Sequence, residues 1–437
     1  MRRFEFKDAR SYKFWEIEIT DTHYTVRYGK VGSDGVTQTK AYPSADKVKA
    51  EADKKIREKT SKGYAEVASA APVRAAVADE SEDWAVRADR LQVAGDPWGR
   101  RIALEMARAD ASGPDKRKLG KELAELEKAH GEHFFGPELL ALMDVEGFDK
   151  VARLEWKYGY VVRARVAMPE YGFKGPKVPA VLAALVKSPA GEFLRDLSVG
   201  LVDHEGGGLV GVAAALSSGR PLANLETLFL GDFSRDDQEI SWVTHGNLEP
   251  LWSITPKLRT LRLRGSGMKL GKFEHPSLAR LEIETGGLPG DSVASIAAAK
   301  LPELRHMEVW FGRTDYGGIR TIETLLPLFS TTGLPKLEHL GLQNSEMQDD
   351  IAIALAGSPL LAQVGSVDMS MGTMREIGAN ALIADAKSFK HLKSLDLDEN
   401  YIPVELHDRL RKAIPTVKLG RQRTADDEDD YYTSVGE

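Results

Sequence analysis

The sequence predicts a small α+β module at its start, a short helical region, and then a long α/β repeat solenoid built on a parallel sheet. Three observations carry this reading. Residues 14–42 hold three runs of strand-like pattern ahead of one helical apolar stripe. Residues 81–143 carry helix signals in succession. A template of the form L-x-x-L-x-L then recurs from Leu194 to Leu397. With 437 residues the chain has room for two or three domains at the usual ~100–200 residues each.

Composition excludes several classes. The 42% apolar and 29% charged residues match an ordinary globular balance. The 0 cysteines rule out disulfides, thiolate metal sites, iron–sulfur clusters and a cysteine nucleophile. The stretch MRRFEFKDAR is charged and has no apolar core, so a secretory signal is not expected. Apolar stretches are interrupted too soon to span a bilayer. A soluble, cytoplasmic protein without membrane partners is the expectation. Charge is uneven along the chain: residues 1–67 hold 15 Lys and Arg against 11 Asp and Glu, whereas the formal net charge of the whole is −7. A basic module on an acidic body fits one part meeting phosphate and another meeting something else.

The first segment is residues 1–67. Phe14-Trp15-Glu16-Ile17-Glu18-Ile19 alternates as a half-buried strand does. Tyr24–Gly32 reads as a second strand, Ser33-Asp34-Gly35 as a hairpin turn and Val36–Tyr42 as a third strand closed by Pro43. Ser44 then caps a helix whose stripe is Val48, Ala52 and Ile56. Gly63 stands where a glycine ends such a helix. Three strands and one helix result.

Residues 68–80 are rich in alanine without usable periodicity and read as a linker. In residues 81–150, Trp84–Leu91 and Arg101–Ala109 read as short helices. Gly113-Pro114 opens a third helix bearing Leu119, Leu123 and Leu126, with its end expected near Gly131.

The template dominates residues 151–420. It appears at Leu194/Leu197/Val199, Leu225/Leu228/Leu230, Leu258/Leu261/Leu263, Leu278/Leu281/Ile283, Leu304/Met307/Val309, Leu337/Leu340/Leu342, Val364/Val367/Met369 and Leu392/Leu395/Leu397. Val151/Leu154/Trp156 and Ile414/Val417/Leu419 read as degenerate end copies. The copies stand 20–33 residues apart, which leaves room for a helix after most strands. This periodicity resembles that of leucine-rich repeats, which implies a solenoid with template residues in the core. Helices are expected at Ser292–Lys300, Ile322–Phe329, Asp349–Ala356 and Ile377–Asp385.

Residues between the template positions then line the concave sheet face. Those proposed to meet a protein partner are Phe229, Arg262, Arg264, Glu282, Glu284, Glu308, Trp310, Gln343, Asp368, Asp396 and Asp398. They run from an aromatic and basic patch to an acidic strip, with Trp310 as the natural anchor. The alternative is a merely solvated face. His306 and His339 fall in one column of adjacent copies, ~5 Å apart. A metal or pH-sensing pair there stands beside the plainer reading of two surface histidines, and no metal ligand set is assigned.

The run Tyr24–Gly35, followed by Thr37-Gln38-Thr39-Lys40 and the helix to Gly63-Tyr64, resembles the WGR domain. That module occurs in poly(ADP-ribose) polymerases and bacterial proteins. Its Trp-Gly-Arg triplet is Tyr28-Gly29-Lys30 here, a departure at two of three positions, with Val31-Gly32 following as the pattern expects. The resemblance implies DNA contact, with stacking carried by Tyr28 and the cationic role by Lys30. Arg27, Lys40 and Lys13 would add phosphate contacts. Binding of protein by the same module is the alternative.

The literal Trp98-Gly99-Arg100 lies outside that strand context, between helical stretches. Its surroundings resemble a short helical module that precedes leucine-rich repeats in bacterial proteins, and capping the open solenoid end is the physical role expected of it. A WGR-like module ahead of such repeats is similar to the bacterial molybdate-metabolism-regulator-like proteins. That resemblance carries no molybdate-binding residues.

Residues 421–437 hold the acidic run Asp426–Asp430 before Tyr431-Tyr432 and are expected to be a disordered tail. Docking of that tail on the basic module is a second reading. No P-loop, H-E-x-x-H, G-x-S-x-G or dinucleotide fingerprint occurs. Asp203, His204 and Glu205 beside Gly206-Gly207-Gly208 read as an inter-repeat turn. A non-enzymatic adaptor or regulator without cofactor is the resulting expectation. Its rival is a scaffold that binds only proteins.

Overall fold

Alternation along the first strands decides which side chains enter the first core. Trp15, Ile17, Tyr24 and Val26 point to one face of an antiparallel sheet, and the helix lays Val48, Ala52 and Ile56 across them. The computed structural model describes residues 2–7, 12–19, 23–30, 36–42, 44–67, 83–204, 208–425 and 431–436. They form two units, Met1–Asp79 and Glu80–Glu437. The predicted linker at 68–80, Glu205–Gly207 and the carboxylates Asp426–Asp430 lie outside the described residues.

The first unit comprises β1 (Arg2–Lys7), β2 (Tyr12–Ile19), β3 (His23–Lys30), β4 (Val36–Ala41), α1 (Ala45–Thr60) and β5 (Ala65–Val67). The sheet order is β4-β3-β2-β1-β5. The three-strand expectation is corrected to five. In β1, charged residues flank Phe4 and Phe6 and mask the alternation, although Phe4 is wholly buried. With only three residues, β5 is too short to carry a pattern. Ser44 caps α1, its hydroxyl accepting from Lys47 N.

The second unit opens with helices Trp84–Val93, Pro97–Asp110 and Gly113–Met143. The third is kinked at His130, beside the end expected near Gly131. Helical turns resume beyond it to Met143, with a second break at Gly136, whose φ of 67° precedes Pro137. Trp98-Gly99-Arg100 occupies the first turn of the second helix and not a segment between helices. Asp96 caps that turn by accepting from Trp98 N.

An eleven-stranded, mostly parallel sheet follows. Its first strand, Ala152–Lys157, pairs antiparallel with Tyr160–Val166. The degenerate copy expected at Val151/Leu154/Trp156 is therefore one arm of a hairpin. Tyr158 and Gly159 both have positive φ, 50° and 85°, the backbone of a two-residue turn whose twist returns the chain antiparallel. From Tyr160–Val166 onward every pairing within this sheet is parallel, among the described residues. The template columns meet in register: Leu197 opposite Leu228, Leu228 opposite Leu261, Leu261 opposite Leu281, and so on to Leu395 opposite Val417. These leucines are wholly buried. Helices Gly290–Ala297, Leu326–Phe329, Gln348–Leu355 and Glu376–Ala384 lie between strands within a few residues of the expected spans. No helix among the described residues is long and apolar enough to cross a membrane.

The tail departs from its expectation. Arg423 donates to Glu399 O and Gly372 O, and Tyr431–Gly436 is hydrogen-bonded against the ends of the strands. A disordered end does not describe residues 421–425 or 431–436.

Candidate nucleic-acid interface

Strand register decides which of the predicted cations share a surface. Lys13 is two residues from Trp15 on β2, Trp15 pairs with Tyr28, and Lys40 on β4 pairs with Tyr24. Lys13, Tyr28 and Lys40 therefore share the sheet face that α1 covers in part. Lys30 pairs with Lys13 through its backbone at the end of β3. Its side chain lies outside the described residues.

Arg27 is brought to the other face. Its Nε lies 2.8 Å from Glu16 Oε2, and its guanidinium sits 5.3 Å from the Phe14 ring centroid. Neighbouring residues of a strand face opposite ways, so Arg27 cannot join Tyr28 in one contact. This corrects its place in the predicted phosphate set.

Lys59 was missed by sequence reasoning. Its amine lies 5.0 Å from the Tyr64 ring centroid, 5.7 Å from Trp15 and 5.9 Å from Tyr28. Burial, and next the positive charges of Lys62 and Lys55, hold this amine below its usual range. Lys55 and Lys59 stand at i+3 from Ala52 and Ile56, which places them on the flank of the apolar stripe. That spacing was the available signal. With Tyr24, Val26, Gln38 and Lys40 they border a concavity of about 500 Å³. Burial pushes the Tyr24 phenol up to about 12, so it serves this face as a neutral group. Tyr28 is half-buried, and Lys59 lies over its ring. The surface thus offers cations beside aromatic edges more than an open stacking platform.

On the sheet face of the second unit, the predicted basic patch is internally paired. Glu284 Oε1 meets Arg262 at 2.6 Å and Oε2 meets Arg264 at 2.6 Å. Arg262 also covers the Phe229 ring at 4.5 Å. Arg280 bonds Glu282 and lies 3.7 Å from Glu308. Trp310 is half-buried and borders a cavity of about 260 Å³ with Phe233, Arg264, Glu284 and Val435. It is not the exposed anchor the sequence suggested.

Toward the other end the face becomes acidic. Asp368 pairs with Asp396 across neighbouring strands. Burial first, then Asp396 and Glu308, hold the Asp368 carboxyl above its usual range. Gln343 Nε2 donates to Asp368 Oδ2 at 2.9 Å, Lys418 lies 3.8 Å from Asp396, and Asp398 Oδ1 accepts from Arg421 N.

His306 and His339 pair across adjacent strands with ring centroids 4.3 Å apart and planes 11° from parallel. Glu308 Oε1 lies 2.6 Å from His306 Nε2 and 3.7 Å from His339 Nε2. The three ligand atoms fall within 4.8 Å of one another. An imidazole binds a metal in its ring plane, and two stacked planes share no nearby point. The pair as placed shares a carboxylate and does not converge on an ion.

A five-stranded antiparallel sheet with one helix and a basic, aromatic-edged face defines a small nucleic-acid-binding-like module. The family model of the WGR domain matches residues 1–71. The chain therefore carries a WGR domain at its N-terminal end, with the namesake triplet replaced by Tyr28-Gly29-Lys30. The uncharacterized protein YfeS of Escherichia coli K12 is 43% identical over 65 residues, 15% of this chain and 27% of YfeS. The match thus spans about a quarter of that relative. A crystal structure of a Bacteroides fragilis protein resembles the chain along 99% of both lengths, at 26% identity and a TM-score of 0.50.

Proposed function

We propose that the WGR domain binds nucleic acid through the face formed by Lys13, Tyr28, Lys40, Lys55 and Lys59. We propose further that the second unit is a leucine-rich-repeat solenoid whose sheet face recruits a protein. The chain is then a non-enzymatic adaptor of regulatory type, in line with its resemblance to molybdate-metabolism-regulator-like proteins. One observation carries the nucleic-acid reading: Lys59 is a partly desolvated amine held among Lys55, Lys62 and Lys13. A phosphate at this concavity relieves that repulsion and displaces little structure. On the second unit, the crowding of Asp368, Asp396 and Glu308 favours a partner that presents cations.

Fluorescence anisotropy with duplex, nicked and single-stranded DNA at ~50 mM salt tests the first part. Binding is expected to weaken with salt, and Lys40→Ala and Lys59→Met should each lower the salt slope by ~1. Tyr28→Ala should cost less than either, because Lys59 lies over the ring. The engaged Tyr28 ring also favours the rival reading, a scaffold that meets protein at both units. No binding of any DNA at ~50 mM salt, where phosphate contacts are strongest, removes the nucleic-acid reading.

A further inference from the structure

Asn344 is wholly buried near the end of strand His339–Ser345, and both halves of its side-chain amide go to one distant residue. Nδ2 donates to Val435 O at 2.6 Å and Oδ1 accepts from Val435 N at 2.9 Å. That is the pairing one peptide unit makes with the next strand of a sheet, supplied here by a side chain. Adjacent groups continue it. Ser434 N donates to Met371 O at 2.9 Å, and Tyr401 OH bonds both the N and the O of Tyr432. Arg313 Nη1 donates to Tyr431 O at 3.3 Å, so the main chain of Tyr431–Gly436 is held at four residues without regard to their side chains.

Side chains add to this grip: Thr433 is buried, and Val435 borders the cavity beside Trp310 and Phe233. Arg313 covers the Tyr432 ring at 3.9 Å; Tyr431 lies edge-on to Tyr401 and 4.9 Å from Arg375. Ser434 Oγ donates to Glu399 Oε2 at 2.8 Å.

The backbone beneath is strained. Among the described residues, four non-glycine residues have positive φ, and three of them are Asn344, Met371 and Glu399, at 50°, 65° and 51°. They stand three residues beyond the paired Gly341, Asp368 and Asp396, Met371 and Glu399 lying just past the ends of their strands. All three bond the segment. Such strain persists where the surroundings fix it and collects at binding sites. Gly286 completes the groove: a Cβ there would stand 2.3 Å from Gly436 O.

We propose that this groove, at the carboxyl ends of the strands, is a binding site for an extended peptide with two adjacent aromatic residues. Tyr431–Gly436 occupies it in cis, and a partner peptide binds by displacing that segment. A tethered occupant acts at an effective concentration of order mM, so the groove stays closed to weak ligands. The groove adjoins the acidic strip, since Met371 N donates to Asp398 O and Glu399 N to Asp398 Oδ1, and the proposal does not rest on the nucleic-acid reading of the WGR domain.

The test uses the full-length chain and a fluorescein-labelled peptide of residues 425–437. The wild type should bind it weakly. The double variant Tyr431→Ser, Tyr432→Ser weakens the internal occupant and should bind at least ~10-fold tighter. Adding Asn344→Gly, which tolerates the positive φ but removes the amide, should return binding to the wild-type level. Gly286→Ala in the double variant supplies a second block that leaves Asn344 intact. Equal peptide affinity in wild type and double variant overturns the proposal. So does binding that survives both groove substitutions, or equal binding of a scrambled peptide of the same composition.

Discussion

Trp98 and Tyr160 stack face to face, ring centroids 3.9 Å apart and planes 7° from parallel. One comes from the first turn of a helix and the other from the strand at which parallel pairing begins. Phe134 meets Trp98 from the third helix, and Phe193 meets Tyr160 edge-on. This cluster joins the helical region to the sheet, so the end of the sheet is covered by aromatic area. Trp98→Ala should lower stability by ~3–5 kcal/mol. Urea denaturation followed by near-UV circular dichroism measures it. A loss below ~1 kcal/mol would mean that the stack contributes little beyond contact.

Arg27→Ala separates the two faces of the WGR domain. Its guanidinium serves Glu16, whose side chain is only 4% exposed. Withdrawing that partner should lower the stability of this unit by ~1–3 kcal/mol. DNA affinity should fall less than in Lys40→Ala, since Arg27 is turned away from the concavity. Equal losses of affinity would place the interface on the wrong face.

These residues also show what a sequence can carry. The leucine columns were legible because a core position admits few side chains, and its spacing therefore survives between strands of unlike loops. Lys13, Tyr28 and Lys40 could be grouped because each lies on a strand. The same alternation excludes Arg27 from the group, a consequence missed when charge alone was counted. Lys59 joins the face through the packing of α1, which strand pattern does not report. The hairpin at Tyr158-Gly159 reads as a repeat because its apolar spacing imitates the template. The bond between Asn344 and Val435 spans 91 residues, and no local pattern encodes such a pairing.

Glu284 holds the sheet face together between two arginines. It is buried, and each carboxylate oxygen meets a different guanidinium. Glu284→Gln keeps the shape and removes the charge, leaving Arg262 and Arg264 without their shared counterion. A loss of ~2 kcal/mol is expected, because charge-assisted bonds near burial are worth more than exposed pairs. The urea midpoint of the second unit reports it. An unchanged midpoint would show that solvent screens these pairs as it does surface ones.

Acid should destabilise the second unit in a defined window. Burial first, and then His306, hold the His339 imidazole down to about 4, and burial does the same for His245. Glu308 on the adjoining position acts against this shift for His339, and Arg280 acts with it. Both rings are therefore neutral in the fold, whereas in the unfolded chain they take up a proton near ~6.5. Between those values the unfolded state binds more protons, so stability falls as pH drops from ~6.5 to ~4 and the loss is complete below the folded value. The full shift of His339 corresponds to ~3 kcal/mol. Glu308, held below its usual range chiefly by its bond to His306, loses its own contribution further into acid. His339→Gln should flatten the pH dependence between ~6.5 and ~4 by about one proton while leaving the His245 contribution in place. Urea midpoints measured across that range for wild type and variant decide it, and identical slopes would show that His339 titrates freely.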